Sequence, residues 1–210
     1  MTNVEAVTNE IFVPSKQVDH SGGVAVISAG SMARADRVLS HYYSHPDVFI
    51  SEEAFILCSG GYSGLANDET APKSERELEG NVLADYFLHN GVSSRLLRVE
   101  NRSVSALSNV AESVAQGYID PSKYNQDRRL GVAAPRLYSR RLTVALGKVG
   151  VPKNAIEHLY TDDLESLLME SIGLAATYAY LRSANSPEDL LAAEQKLLKR
   201  LNRKSAPEDN

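Results

Sequence analysis

Short apolar runs alternate along this chain with longer stretches in which apolar residues recur every third or fourth position. The run Val24-Ala25-Val26-Ile27 stops at Ser28-Ala29-Gly30. A brief β-branched run bounded by turn residues predicts a buried strand. Ser31 is placed to cap the next helix, in which Ala35, Val38, Leu39 and Tyr42 share a face and Pro46 lies just past the end. The same grammar returns with Ala54-Phe55-Ile56-Leu57-Cys58, then the turn Ser59-Gly60-Gly61 and a polar loop over 62–73. Ser74 is the expected N-cap of a second helix, with Glu75 and Glu77 in its first turn, where negative charge suits the helix dipole. Leu78, Val82, Leu83, Tyr86 and Phe87 form its apolar stripe, and Gly91 its C-terminal stop. A third strand is expected over 95–99, and its helix carries Leu107, Val110, Ala111 and Val114. A fourth, Leu130-Gly131-Val132-Ala133-Ala134, ends at Pro135. Its helix carries Leu142, Ala145, Leu146 and Val149 before Gly150 and Pro152, and a fifth strand is expected over 156–160.

Strands that are wholly apolar and alternate with helices imply a parallel sheet covered on both faces. The fold class read from this pattern is α/β: a Rossmann-like parallel sheet of about five strands, with helices on both faces and a C-terminal helical pair. Ligands of such sheets bind beyond the carboxyl ends of the strands, here at Gly30, Gly60, Glu100 and Pro135. After residue 160 the alternation stops. Thr161 and Ser186 read as N-caps and Pro187 as a first helical residue. One stripe runs through Leu164, Leu167, Leu168 and Ile172, and another through Leu190, Leu197, Leu198 and Leu201. The expected organisation is an N-terminal segment 1–23, the sheet domain 24–160, a helical extension 161–204 packed on that domain, and a disordered tail 205–210.

Composition narrows the function. The chain has 210 residues and a formal net charge of −5, which argues against a basic nucleic-acid face. Its single cysteine, Cys58, excludes an intramolecular disulfide and a four-cysteine metal site. No stretch has the ~20 apolar residues that span a bilayer. With no signal-peptide order over residues 1–19, a cytoplasmic location is expected. Lys199, Arg200, Arg203 and Lys204 read as cations at a helix C-terminus rather than a membrane-facing patch. No metal site is expected. His41 and His45 are four residues apart, but no third ligand stands at a matching interval.

Two glycine turns carry the candidate chemistry, Ala29-Gly30-Ser31 and Ser59-Gly60-Gly61. A turn that enters a helix exposes backbone N–H groups toward an anion, and glycine lets a ligand come close. Neither turn is a G-x-G-x-x-G or a G-x-x-x-x-G-K-[ST] fingerprint. Arg34, Arg37, Arg136, Arg140 and Arg141 lie near strand carboxyl ends and could hold phosphate or carboxylate through paired hydrogen bonds. Gly61-Tyr62-Ser63-Gly64 falls one residue short of the G-x-S-x-G nucleophile elbow, and Cys58 at a strand end reads as a small core residue.

Arg34 followed by Tyr42, then Cys58-Ser59-Gly60-Gly61, Ser74-Glu75, Glu100-x-x-Ser103 with Asn109, and Arg141 before Gly150-Val151-Pro152 form an ordered set. The set resembles the YdcF/SanA/ElyC-like family of bacterial proteins over roughly 24–160. The resemblance implies a Rossmann-like fold and, for the soluble YdcF-type branch, binding of S-adenosylmethionine. The SanA and ElyC branches are membrane-anchored and linked to envelope biogenesis, and no anchor is evident here. Where the family reads Ser-x-x-Thr-x-Glu-Asn, this chain keeps Ser103 and Asn109 but has Ala106 and Ser108. Where the family often has His-x-x-Arg, Arg141 is kept and Tyr138 stands in place of the histidine. If those residues do acid–base work in relatives, this chain has lost it or moved it. Tyr138 could still donate a proton.

The resulting expectation is a small-molecule enzyme or binding protein using S-adenosylmethionine or a related nucleotide. Gly30, Ser31, Arg34, Ser59, Gly60, Gly61, Glu75, Glu100, Ser103, Asn109 and Arg141 are its expected ligand contacts, and Tyr138 and Glu75 its expected catalytic groups. Within it, Glu75 or Glu100 would accept from ribose hydroxyls, and Arg34 and Arg141 would face an anionic group. A transferase reaction is one form of that expectation. The alternatives are a phosphoryl-group hydrolase or transferase, and a non-catalytic regulatory or envelope-related binding protein. The C-terminal helices could make a homodimer contact.

Overall fold

The computed structural model describes residues 24–27, 32–50, 53–61, 74–162 and 167–205. Gly30, Ser31, Ser63 and the 62–73 loop lie outside them. The elements run β1 (Val24–Ile27), α1 (Met32–Ser44), β2 (Ile56–Ser59), α2 (Glu79–His89), β3 (Leu97–Glu100), α3 (Ala106–Ala115), β4 (Leu130–Ala134), α4 (Arg136–Lys148), β5 (Ile156–Tyr160), α5 (Leu167–Tyr180) and α6 (Pro187–Ser205). The strands are short and pair in parallel, in the order β3-β2-β1-β4-β5.

Alternation within the strands sends side chains to two separate cores. Ile56 and Cys58 of β2, with Ala133 and Leu159, pack against Ala35 and Val38 of α1 and Leu83 and Phe87 of α2. Leu57, Leu130, Val132 and Ala134 point the other way, onto Leu107 and Val110 of α3 and Leu142 and Leu146 of α4. The chain thus winds β1-β2-β3 outward with its helices on one face. It then returns past β1 to β4 and β5 with its helices on the other face. The last two helices join that second core: α5 packs on α4 and α6 on α3, and Leu181, Ala184, Leu190 and Ala193 are buried there.

Several local expectations shift. Ser74 does not cap α2; it precedes a 3-10 turn over Glu75–Glu77, and Leu78, extended at ψ 139°, is the residue before the helix. Val82 sits in the predicted stripe yet is exposed, because the buried face of α2 is made by Gly80, Leu83, Ala84 and Phe87. The third strand begins two residues later than expected, after a 3-10 turn over Ser94–Leu96, and ends on Glu100. The Thr161 N–H donates to the Ala134 carbonyl at 3.3 Å and carries the β4–β5 pairing one residue further; residues 163–166, where its expected role as a cap of the next helix would show, lie outside the described residues. Ser186 does cap α6, accepting from the Asp189 N–H at 3.2 Å. Side chains of the 164–168 stripe and of 197–205 lie outside the described residues. Among the described residues, no helix is long and apolar enough to cross a membrane.

Candidate functional site

The glycine turn after β2 is folded onto the end of β3. Parallel register sets Ser59 beside Glu100, and the Ser59 hydroxyl donates to Glu100 Oε2 at 2.7 Å. The other carboxyl oxygen accepts from the N–H groups of Arg102 and Ser103, at 2.5 and 2.9 Å. The Gly60 and Gly61 N–H groups donate to the carbonyls of Glu100 and Ser103, at 2.9 and 3.0 Å. Glycine at 61 is required by this closeness: a Cβ would overlap the Asn101 and Ser103 carbonyl oxygens. Gly80, in the first turn of α2, is as constrained, since its Cβ would stand 2.8 Å from the Glu100 carbonyl oxygen and 2.9 Å from that of Cys58.

This overturns the role expected of the turn. The N–H groups of Gly60 and Gly61 are already bonded, so they form no anion cradle. Glu100, wholly buried, serves as the acceptor that closes the 100–103 loop rather than as a ribose contact. Ser103 keeps an unusual feature, for its buried hydroxyl has no hydrogen-bond partner among the described residues.

The carboxyl ends of β1 and β4 are different. Strand order reverses between these neighbours, so the chain leaves them toward opposite faces, the topology at which doubly wound sheets hold their ligands. Arg34 of α1, 1% exposed, places its guanidinium carbon 4.7 Å from the centroid of the Tyr138 ring of α4. Arg141, one helical turn on from Tyr138, lies 5.5 Å from the same centroid. Both distances are within cation–π range. Arg141 is held from outside by α5: its Nε donates to Thr177 Oγ1 at 3.4 Å, and its guanidinium occupies the space that a side chain on Gly173 would fill, 2.8 Å from Nη1. Two of the expected anion contacts and one expected catalytic group therefore meet at the strand-order switch. Arg140 is solvent-exposed.

Next to Tyr138, at the start of α4, lies a group that no sequence spacing announced. The Ser139 hydroxyl and His158 Nδ1 are 2.6 Å apart. His158 stacks on Tyr160 with centroids 5.4 Å apart, and the Arg136 guanidinium lies over the Tyr160 ring at 5.5 Å. Burial holds the His158 imidazole below its ordinary pKa, partly opposed by the neighbouring Glu157 charge.

Glu194 is a second group missed from the sequence. Ser105 and Ser108 cap α3 reciprocally: Ser105 Oγ accepts from the Leu107 N–H at 3.2 Å, and Ser108 Oγ from the Ser105 N–H at 2.9 Å. Ser108 also hydrogen-bonds Glu194, which reaches over from α6, and Asn109 is buried next to it. A carboxyl group thus reaches the start of α3 from the C-terminal helix. Burial raises its pKa against the hydrogen bonds from Ser108, and Oε1 has no partner among the described residues.

The remaining candidates are dispersed. Glu75 is exposed on the turn before α2 and shares no described contact with Arg34, Tyr138 or Arg141. Cys58 is buried, which pushes its thiol up to about 12 and leaves no thiolate nucleophile at neutral pH. His41 and His45 do share a face, with ring centroids 4.5 Å apart. Among the described residues no group of three or more His, Cys, Asp or Glu could hold a metal ion. No protein-family model, curated protein or solved structure matches the chain.

Proposed function

We propose that this protein binds a small anionic ligand of the nucleotide class, with S-adenosylmethionine first among candidates, in the crevice between the carboxyl ends of β1 and β4 of a Rossmann-like sheet. One observation carries the reading: two arginines from different helices converge on one tyrosine ring where the strand order reverses. Such a crevice is where ligands of doubly wound sheets lie, and guanidinium groups pair with carboxylate or phosphate through two hydrogen bonds. In this reading Arg34 and Arg141 hold the carboxylate or phosphate. Tyr138, between them, supplies a hydroxyl donor to the bound molecule. The resemblance to the YdcF-type branch supports the choice of S-adenosylmethionine.

Thermal-shift titration with S-adenosylmethionine, S-adenosylhomocysteine and ATP tests this. A ligand present at 100 times its Kd adds about 2.7 kcal/mol, which for a chain of this size raises Tm by about 5–10 °C. Arg34→Ala and Arg141→Ala should weaken that shift while the variants remain folded by circular dichroism. Absence of any shift at millimolar concentrations, or unchanged affinity in both variants, overturns the reading.

A further inference from the structure

A second cavity lies along the outer side of α4, away from the crevice. The last turns of α4, the loop after it and the end of α5 bound a groove of about 710 Å³. That is within the ~300–1,000 Å³ range of pockets that enclose a small organic ligand. Val144, Val151, Leu181 and Tyr178 supply an apolar wall. The charged residues in its lining are Lys148, Lys153 and Arg182, all cations, in a chain whose net charge is −5. Lys148 Nζ donates to the Arg182 carbonyl at 3.4 Å, which ties the end of α4 to the turn after α5.

Gly147, itself exposed, leaves the α4 backbone bare between the apolar wall and the cations. It sits inside α4 and lines the groove, and no atom lies within 4 Å of where its Cβ would be. Its φ is not positive, so the backbone does not require glycine. Glycine is a poorer helix former than alanine, and nothing in the chain's own packing asks for the missing side chain. The C-terminal carbonyls of α4 repel negative charge, so an anionic head belongs toward Lys153 and Arg182, with the apolar body over Gly147.

We propose that this groove binds an amphiphilic organic anion, its apolar body on Gly147, Val144 and Leu181 beside Tyr178, and its carboxylate or phosphate among Lys148, Lys153 and Arg182. The site is independent of the crevice ligand.

Isothermal titration of the full chain with decanoate, decyl phosphate, decanol and decyltrimethylammonium, each below its aggregation concentration, tests it. Decanoate and decyl phosphate should bind at one per chain, and decanol at least tenfold more weakly. The ammonium should give no measurable binding. Lys153→Glu combined with Arg182→Glu should weaken decanoate binding at least tenfold, and Gly147→Leu should abolish it. Should Gly147→Leu fail to fold, Gly147→Ala serves instead: its Tm should equal or exceed the parent's while decanoate affinity falls. Arg34→Ala should leave decanoate binding unchanged, which separates this site from the crevice. Equal affinity for decanol and decanoate, several molecules bound per chain, or parental affinity in the charge-reversed variant overturns the proposal.

Discussion

The carboxyl ends of β2 and of β1 and β4 look alike in the sequence, each a strand running into small residues and then a helix. The protein uses them in opposite ways. After β2 the backbone donors of Gly60 and Gly61 and the hydroxyl of Ser59 are all consumed by the end of β3 and the loop after it, Glu100 accepting from Ser59 and Gly60 and the Ser103 carbonyl from Gly61. Beside β4 the side chains of Arg34 and Arg141 converge on Tyr138 where the strand order reverses. A glycine-rich strand end is thus an anion site only when its N–H groups remain unspoken for. Here the neighbouring parallel strand, arriving in register, takes them first.

Substitutions can break that comparison, and the largest effect falls on the closed end. Glu100→Ala leaves two N–H groups and a hydroxyl without their acceptor in a buried setting. At roughly 1–3 kcal/mol for each buried group left unpaired, a loss of about 3 kcal/mol is expected in urea unfolding. Glu100→Gln, which keeps an acceptor, should recover most of it. A Glu100→Ala protein as stable as the parent would remove the clamp from the account. Gly80→Ala comes next. Its methyl group meets two carbonyl oxygens that belong to strand ends, and overpacking of this kind costs about 1–3 kcal/mol. A chemical denaturation midpoint unchanged from the parent's would show that α2 can shift to make room.

At the open end stability should respond less and binding more. Tyr138→Leu removes the ring between two guanidinium groups, and cation–π contacts are worth about 0.5–2 kcal/mol each depending on solvation. A destabilisation of about 1–2 kcal/mol is expected, together with weaker binding of any crevice ligand. Tyr138→Phe keeps the stacking and should be nearly as stable as the parent. If Phe is as harmful as Leu, the hydroxyl matters more than the ring.

The smallest expected effect is set by pH. Burial raises the Glu194 pKa in the folded protein above its unfolded value of ~4.3. The folded state therefore favours the protonated group. Its contribution is complete below the unfolded value and declines as pH rises through the folded one. Glu194→Gln should raise Tm at pH 8 relative to the parent and leave it nearly unchanged at pH 4. A gain of equal size at both pH values would exclude ionisation of Glu194 as the cause.

The sequence made some of this legible and hid the rest for physical reasons. β4 falls on Leu130–Ala134, as its apolar run predicts, because a strand buried on both faces tolerates little else; β5, an edge strand that carries Glu157 and His158, falls on Ile156–Tyr160 with a weaker pattern. Arg34 and Arg141 stand apart from Arg37 and Arg140 in the sequence because the ordered motif set includes the first pair and not the second. The misplaced start of α2 came from reading Ser74 as a cap, when the chain stays extended at Leu78 before turning. The cap of α3 went unread because its reciprocal partner is Ser108 rather than Glu or Gln. The role of Glu100 was hidden more deeply. It depends on a register that places residue 59 beside residue 100, and no local pattern carries that information. Glu194 and His158 belong to the same class, since their partners Ser108 and Ser139 lie on other elements.

The reversal of strand order also fixes when the crevice can come into being. β1 is flanked by β2 on one side and by β4 on the other, so its second edge stays open until the chain has returned through β3 and α3. Bringing Val24 beside Gly131 closes the longest loop between neighbouring strands of the sheet. Pairings of that kind bear the greatest entropic penalty and slow folding. Tyr138 and Arg141 follow β4 directly, so they reach Arg34 only once this pairing is made. Competence to bind in the crevice should therefore appear with the slowest step of refolding, and never in a chain cut short before β4. Stopped-flow refolding in the presence of a crevice ligand would reveal a contrary order if binding preceded completion of the sheet.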